Sequence, residues 1–320
     1  MRKNESKFKF DGIVVAPSRL LDFLIASQPD KSRNKVKSQL SHRQVSVNKV
    51  VVTQFDTMLQ PGDRVTVSAS RSPEAFRHPM IRIVYEDDYI IVADKRNGLL
   101  TVGTDKERTR TAFYLMSEHV KQADPANRIF IVHRLDRETS GLLVFAKSEE
   151  IQSRMQRNWK QTVVSRKYIA IAEGELPATE GVINESLAEN KNFKVYVDPE
   201  GEKAVTEYRV LASRNGFSMV ELSLQTGRKN QIRAHLEHIG NPIAGDKKYN
   251  AVTNPAGRVC LHAMVLDFIH PVTGERMNFS TAVPQIFENV LDGEKTSIAN
   301  HNRRNRPGRT NQNRMRKPSK

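Results

Sequence analysis

The rhythm of apolar and polar positions changes along the chain, and each change marks a boundary. From Ser18 to about Ser70, Leu20, Leu21, Phe23, Leu24 and Ile25 recur as one helical face. Ser32 stands at an N-cap position before a second, basic helix, RNKVKSQLSHR. QVSVNKVVV predicts a hairpin turning near Asn48-Lys49, and PGDRVTVS predicts a turn and a closing strand. SRSPEAFRHP has the proline and charge content of a linker. Strand-like runs then dominate: IRIVYED, YIIVADK, IFIVH, LLVFAKS, KYIAIAEG, KAVTEYRVL, FSMVELSLQ and VCLHAMVLDFI. Helices are predicted at TAFYLMSEHVKQ, EEIQSRMQRNWKQ and KNQIRAHLEHI. Hairpin spacing, without strict strand–helix alternation, predicts an α+β body on a mixed, mainly antiparallel sheet, preceded by a small α/β domain. The expected division is 1–17 as a flexible lead-in, 18–70 as the small domain, 71–80 as linker, 81–292 as the body and 293–320 as a disordered basic tail. From Lys295 onward the chain has nine Lys and Arg, no acid and almost nothing apolar, so it cannot offset its ordering entropy by burial.

Charge adds a partner class. The 320 residues hold 51 Lys plus Arg against 36 Asp plus Glu, a net charge of +15. That surplus favours polyanions, because each neutralised phosphate releases condensed counterions. Cys260 is the single cysteine, which excludes an intrachain disulfide framework and a cysteine-built zinc site and fits a reducing cytoplasm. The start, MRKNESKFKFDG, lacks the apolar core of a secretory signal, and no apolar run approaches a bilayer span. His133, His235 and His262 are scattered without acid or cysteine at metal-ligand spacing, so they read as structural and no metal is expected. Trp159 reads as core packing within its helix.

The candidate chemistry centres on HRLDRETSGLLVFAKS, residues 133 to 148. Asp136 lies on a polar loop between Arg134 and Arg137, before a sharp Ser140-Gly141 turn. Nearby cations should keep its carboxylate ionised, available as nucleophile, base or simple ion-pair partner. Physics alone leaves those alternatives open, and an inert surface pair is the commonest of them.

The wording of the segment goes further. HRLDRETSGLLVFAKS closely resembles the catalytic segment of RluA-type pseudouridine synthases. DDYIIVADKRNGLLT resembles that family's opening motif, RKYIAIAEG its tyrosine-bearing strand and TGRKNQIRAHLEHIGNPIAGDKKY its third motif. LHAMVLDFIHPVTGERMNFSTAVP resembles its closing strands, so the likeness covers about residues 81 to 289. Ser18 to Ser70 separately resembles an S-four-type RNA-binding domain, with Asn48-Lys49 where Asn-Gly is usual. Arg96 stands where the opening motif has Pro, and Asn230 where the third has His, which weakens the case for position 230 in placing RNA and leaves Asn230 off the expected site residues.

The resemblance implies an isomerase that breaks a uridine's N-glycosidic bond, turns the base and rejoins it through carbon, without metal or organic cofactor. It implies that Asp136 initiates cleavage, by adding to the anomeric carbon or by taking a proton from the neighbouring ribose carbon. Arg233 would be its ion-pair partner; without the resemblance Arg233 reads as an exposed helix charge beside the buried stripe Ile232, Leu236 and Ile239. Strand alternation puts Tyr168 with Ala170 and Ala172, which suggests open space over its ring for a flipped uracil. Arg134 would help to expel the target nucleotide, and Arg228 would clamp a phosphate at a helix start. Ile232 is counted with the substrate-binding residues, and Lys95 would contact RNA or merely line the sheet edge. In the small domain Arg19, Arg33, Lys37 and Arg43 are the expected RNA contacts, the last three spaced along one polar helix flank. The expected partner is structured RNA, ribosomal first and transfer RNA second, met by a monomer. A catalytically silent RNA-binding assembly factor is the alternative, and an N-glycosylase releasing free uracil is a third reading.

Overall fold

A computed structural model describes residues 8–48, 50–68 and 76–294. Residues 1–7 of the lead-in, Lys49, residues 69–75 with the first half of the linker, and the basic tail from Lys295 lie outside the described residues. The chain divides into two compact units, and the division falls within 81–292. The first comprises the chain to Arg137, with Leu142–Thr162 and Ile269–Glu275; the second comprises Glu138–Gly141, Val163–Phe268 and the chain from Arg276.

The first unit opens with β1 (Phe8–Ile13), β2 (Ser18–Arg19), α1 (Leu20–Ala26), α2 (Arg33–Ser41), β3 (Val45–Val47), β4 (Val50–Val51), β5 (Met58–Leu59) and β6 (Arg64–Ser68). A sheet in the order β1-β6-β3-β4 encloses Leu20, Leu21, Leu24, Val36, Leu40, Val45, Val65 and Val67. Ser32 caps α2 as expected, its hydroxyl accepting from the Lys35 amide at 3.3 Å. Asn48 takes φ +51 and holds the turn itself, accepting from the Arg64 amide and donating to Asp63. Asparagine thus supplies the left-handed residue without glycine.

The lead-in expectation needs correction, because Phe8–Ile13 is a strand. β6 would otherwise leave one edge unpaired, and β1 covers it, with Phe10 packing on the core and Asp11 ion-paired to Arg64 at 2.6 Å. The unit continues with β7 (Ile81–Glu86), β8 (Ile90–Lys95), α3 (Ala112–Lys121), β9 (Phe130–Ile131), the wholly buried β10 (Ser140–Ala146), α4 (Glu149–Arg157) and α5 (Trp159–Thr162). β10 belongs to it from Leu142 onward, its first two residues counting with the second unit. The expected strand IFIVH shrinks to two residues because Gln152 and Gln156 of α4 take the Ile131 and Val132 carbonyls. The single expected helix from Glu149 breaks at Asn158, so half-buried Trp159 begins a separate short turn.

The second unit holds β11 (Val163–Glu173), β12 (Glu180–Asn184), β13 (Leu187–Glu189), β14 (Val195–Val197), β15 (Val205–Arg214), β16 (Phe217–Leu224), α6 (Gln231–His238), β17 (Leu261–Ile269), β18 (Arg276–Ser280) and α7 (Gln285–Leu291). Its strands run β12-β15-β16-β11-β17, with β18 beside β17 and β13 pairing β14 apart. The α+β class with a mainly antiparallel sheet is what the pattern predicted. Ser140 and Gly141 pair in parallel with His262 and Ala263. Gly141 has φ +113, and a Cβ there would collide with the Ala263 carbonyl, so the Ser-Gly turn admits no side chain.

Candidate active site

The loop bearing Asp136 is held by its backbone. The Thr101 hydroxyl donates to the Leu135 carbonyl at 2.7 Å and accepts from the Leu135 amide at 3.2 Å. Gly98 donates to the Arg137 carbonyl at 2.7 Å, and Arg137 Nε returns to the Gly98 carbonyl at 3.1 Å. Lys95, at the end of β8 and 0% exposed, points its ammonium at the carbonyls of Arg96, Leu99, Asp136 and Arg137. An ammonium taken from water needs such partners, and a cage of carbonyl dipoles supplies them. The expectation that Lys95 touches RNA is therefore corrected: burial removes it from a ligand's reach, and its work is to fix the two consecutive carbonyls of Asp136 and Arg137 against its own strand end. Asp136 itself is partly buried, while Arg134 and Arg137 are exposed.

The downstream end of this segment is held within the second unit. Ser140 Oγ lies 2.8 Å from His262 Nδ1 and accepts from Arg258 Nη2 at 2.9 Å. His262 Nε2 in turn lies 2.7 Å from the Thr281 hydroxyl. Burial lowers the Arg258 pKa, with Cys260 and Glu138 pulling the other way. Burial also pushes the Cys260 thiol up to about 12, so it is no nucleophile at neutral pH.

Arg233 sits on α6, whose residues Gln231 to Leu236 are all buried, Ile232 among them. The guanidinium grips Asp246 with both arms, Nε to Oδ2 at 2.6 Å and Nη2 to Oδ1 at 2.7 Å. It also donates to Asn230 Oδ1 at 3.2 Å and lies 4.8 Å from the centre of the Tyr249 ring. At 6% exposure Arg233 is not the exposed charge that α6 alone suggested. Asn230, set aside in the sequence, occupies a left-handed position at the helix start and joins Arg233 to Tyr249. Burial raises the Tyr249 phenol pKa.

Tyr168 lies on β11 at a register shift against β17, opposite Leu222 of β16. The residue is 8% exposed, which corrects the expectation of open space above its ring. Arg228 precedes α6, and its guanidinium pairs with Glu202 at 2.8 Å and donates to the Lys203 carbonyl. A carboxylate thus occupies the place expected for a phosphate. Gln231 braces the turn, accepting from Thr226 and the Arg228 amide and donating to Val205 and Thr206.

Arg19, Arg33 and Lys37 are exposed. Arg43 does not share the flank of α2, because the helix ends at Ser41 and Arg43 turns left-handed at φ +56. His133 accepts from the Val144 amide, and burial lowers the pKa of His235, which lies between Thr206 and the Glu185 carbonyl. Among the described residues no cluster of His, Cys, Asp and Glu could hold a metal ion. No described helix is long and apolar enough to cross a membrane.

A sheet-built α+β scaffold with a backbone-clamped aspartate defines a class, and comparison gives it a family. The model of the RNA pseudouridylate synthases matches residues 89–238, a span containing Asp136, Tyr168 and Arg233. The chain is 34% identical over 284 residues to the uncharacterized RNA pseudouridine synthase YlyB of Bacillus subtilis, covering 86% of this chain and 93% of that one. It is 34% identical over 274 residues to ribosomal large subunit pseudouridine synthase D of Vibrio cholerae, covering 80% and 84%. Among solved structures, human RNA pseudouridylate synthase domain containing 4 superposes with a TM-score of 0.55 at 25% identity, covering 66% of this chain and 91% of that one. The chain belongs to the RNA pseudouridine synthase family. It is an isomerase that converts uridine in RNA to pseudouridine.

Proposed function

We propose that this synthase modifies large-subunit ribosomal RNA, with transfer RNA as the second candidate, and that it works as a cytoplasmic monomer. The likeness over four fifths of the chain to a relative named for the large ribosomal subunit carries the substrate reading. A small N-terminal domain that resembles the S-four type, with Arg19, Arg33 and Lys37 exposed, supports a large folded target.

In this reading Asp136 initiates cleavage, and the clamp on its peptide neighbours delivers it in one pose. Such orientation is worth much, since a displacement of about 1 Å can cost about a hundredfold in rate. Arg233, fixed by Asp246, supplies fixed positive charge to the site. Tyr168 stacks on the uracil and assists loss of the carbon-5 proton, which requires its covered ring to be uncovered by substrate. Arg134, exposed and without a hydrogen bond or ion pair among the described residues, is the wedge that fills the vacated stack. Arg228 exchanges Glu202 for phosphate, and Ile232 backs the substrate from α6.

The test is tritium release from carbon-5-labelled uridine in an unmodified large-subunit transcript. Wild type should release label, and Asp136→Asn should release none while still binding RNA. Label released at the wild-type rate by Asp136→Asn would remove Asp136 from the mechanism; a wild type active only on transfer RNA transcripts would overturn the ribosomal assignment alone.

A further inference from the structure

The hairpin formed by β13 and β14 ends in a loop that the reaction chemistry does not use. Phe193 stands at its tip, 70% exposed. Its backbone has φ +57, in the left-handed region that bulky side chains avoid. The conformation is held by Asn190, whose side-chain oxygen accepts from the Asn192 and Lys194 amides at 2.9 and 3.0 Å. The Phe193 amide donates to the Asn190 carbonyl at 2.9 Å, and the Lys248 ammonium donates to the Phe193 carbonyl. An aromatic ring kept in water on a disfavoured backbone costs free energy twice, and such outliers gather where something is bound.

The surroundings specify what is bound. Lys229 Nζ lies 5.4 Å from the centre of the Phe193 ring while ion-paired to Glu189, and exposed Lys191 and Lys248 flank the loop. The hairpin base is joined to the Arg233 cluster: the Val195 amide donates to the Tyr249 hydroxyl, and Lys194 lies 5.4 Å from the Tyr249 ring centre. A ligand for this tip therefore has a flat apolar face and closely spaced negative charges. An unpaired nucleotide has both, and the family supplies RNA as substrate.

We propose that Phe193 is a stacking platform for an unpaired base of the RNA substrate, with Lys229 and Lys248 taking the adjoining phosphates. Lys229 exchanges its carboxylate partner Glu189 for phosphate when RNA arrives. Exposed ion pairs are weak, so the exchange is cheap. Stacking does not read base identity, so the hairpin adds affinity and register near the Arg233 cluster without choosing the sequence.

The proposal rests on RNA as substrate and not on which RNA it is. The full chain is therefore titrated with whichever transcript, ribosomal or transfer, the wild type modifies. Phe193→Asn removes the ring but suits the positive φ, so the hairpin and the melting temperature should be kept. Its affinity should fall about tenfold, the scale of one lost base–aromatic stack. Phe193→Trp should restore binding, and Phe193→Leu should not. Salt dependence separates the two contacts: Phe193→Asn should leave the slope of log affinity against log salt unchanged, whereas Lys229→Gln should lower it by about one. Wild-type affinity in Phe193→Asn, as a protein-docking aromatic would give, or full rescue by leucine, overturns the stacking platform.

Discussion

Lys95 and Arg233 are both cations carried into the interior, and the chain satisfies them differently. Lys95 is surrounded by neutral backbone carbonyls from two segments, so its charge organises peptide groups. Arg233 is matched to the Asp246 carboxylate by two parallel bonds and laid on an aromatic ring, so its geometry is fixed. A compact ammonium suits the first task because its three protons can point at several carbonyls. A planar fork suits the second, because a carboxylate accepts it in one orientation. The first arrangement shapes a loop, and the second places a charge.

Breaking the carboxylate pair should have the largest effect. Asp246→Ala should cost ~3–5 kcal/mol of stability, the usual result of removing one partner from a buried pair. Chemical denaturation reads this directly, and tritium release should fall with it. Retention of full stability would mean that Arg233 has found equal compensation elsewhere.

Lys95→Met tests the carbonyl cage and should cost somewhat less, ~1–3 kcal/mol, because the orphaned carbonyls are desolvated but uncharged. Its sharper effect should fall on turnover, with kcat down about a hundredfold and KM little changed, since the loop loses orientation and not its binding groups. Equal losses in KM and kcat would show that Lys95 meets RNA after all. Thr101→Val, nearly the same shape, removes only the clasp on Leu135. It should cost ~1 kcal/mol, with a smaller fall in kcat in the same sense.

These two sites were not equally legible in the sequence. The Asp136 segment, Tyr168 and Arg233 stood out by wording, and the α+β class followed from hairpin spacing. Lys95 was not readable as a buried group, because a lysine at the end of a strand ordinarily lies at a sheet margin, and two of the carbonyls that enclose it come from 41 and 42 residues further along. Asp246 lay inside a quoted motif but thirteen residues beyond Arg233. Only the return of the chain past α6 makes them partners, and no periodicity encodes that. β1 was hidden because the charged residues around Phe8 and Phe10 resemble a tail, whereas their pairing with β6 depends on an edge that the one-dimensional pattern does not show. Phe193 carried no signal either: a single aromatic among Asn and Lys reads as loop until its left-handed backbone is seen.

A third carboxylate-held cation adds pH to the comparison and should give the smallest effect. Asp267 on β17 is 3% exposed, while its partner Arg276 is 62% exposed. The Arg276 guanidinium holds the Asp267 carboxyl below the ordinary carboxylate range, against the upward push of burial and with help from Asn278. A carboxyl whose folded value is depressed contributes stability that is complete above its unfolded value, near ~4. That contribution is lost as pH falls through the lower folded value. Arg276→Met removes the main cause of the depression. Wild type should therefore exceed the variant by a constant margin above about pH 5, about 1 kcal/mol or less for a pair so open to solvent. The margin should close as the medium is acidified below about pH 4. The margin between wild type and Thr101→Val, which depends on neutral partners alone, should stay level through the same acid range. Parallel behaviour of the two margins would mean that the carboxylate pair and the carbonyl clamp are not electrostatically distinct.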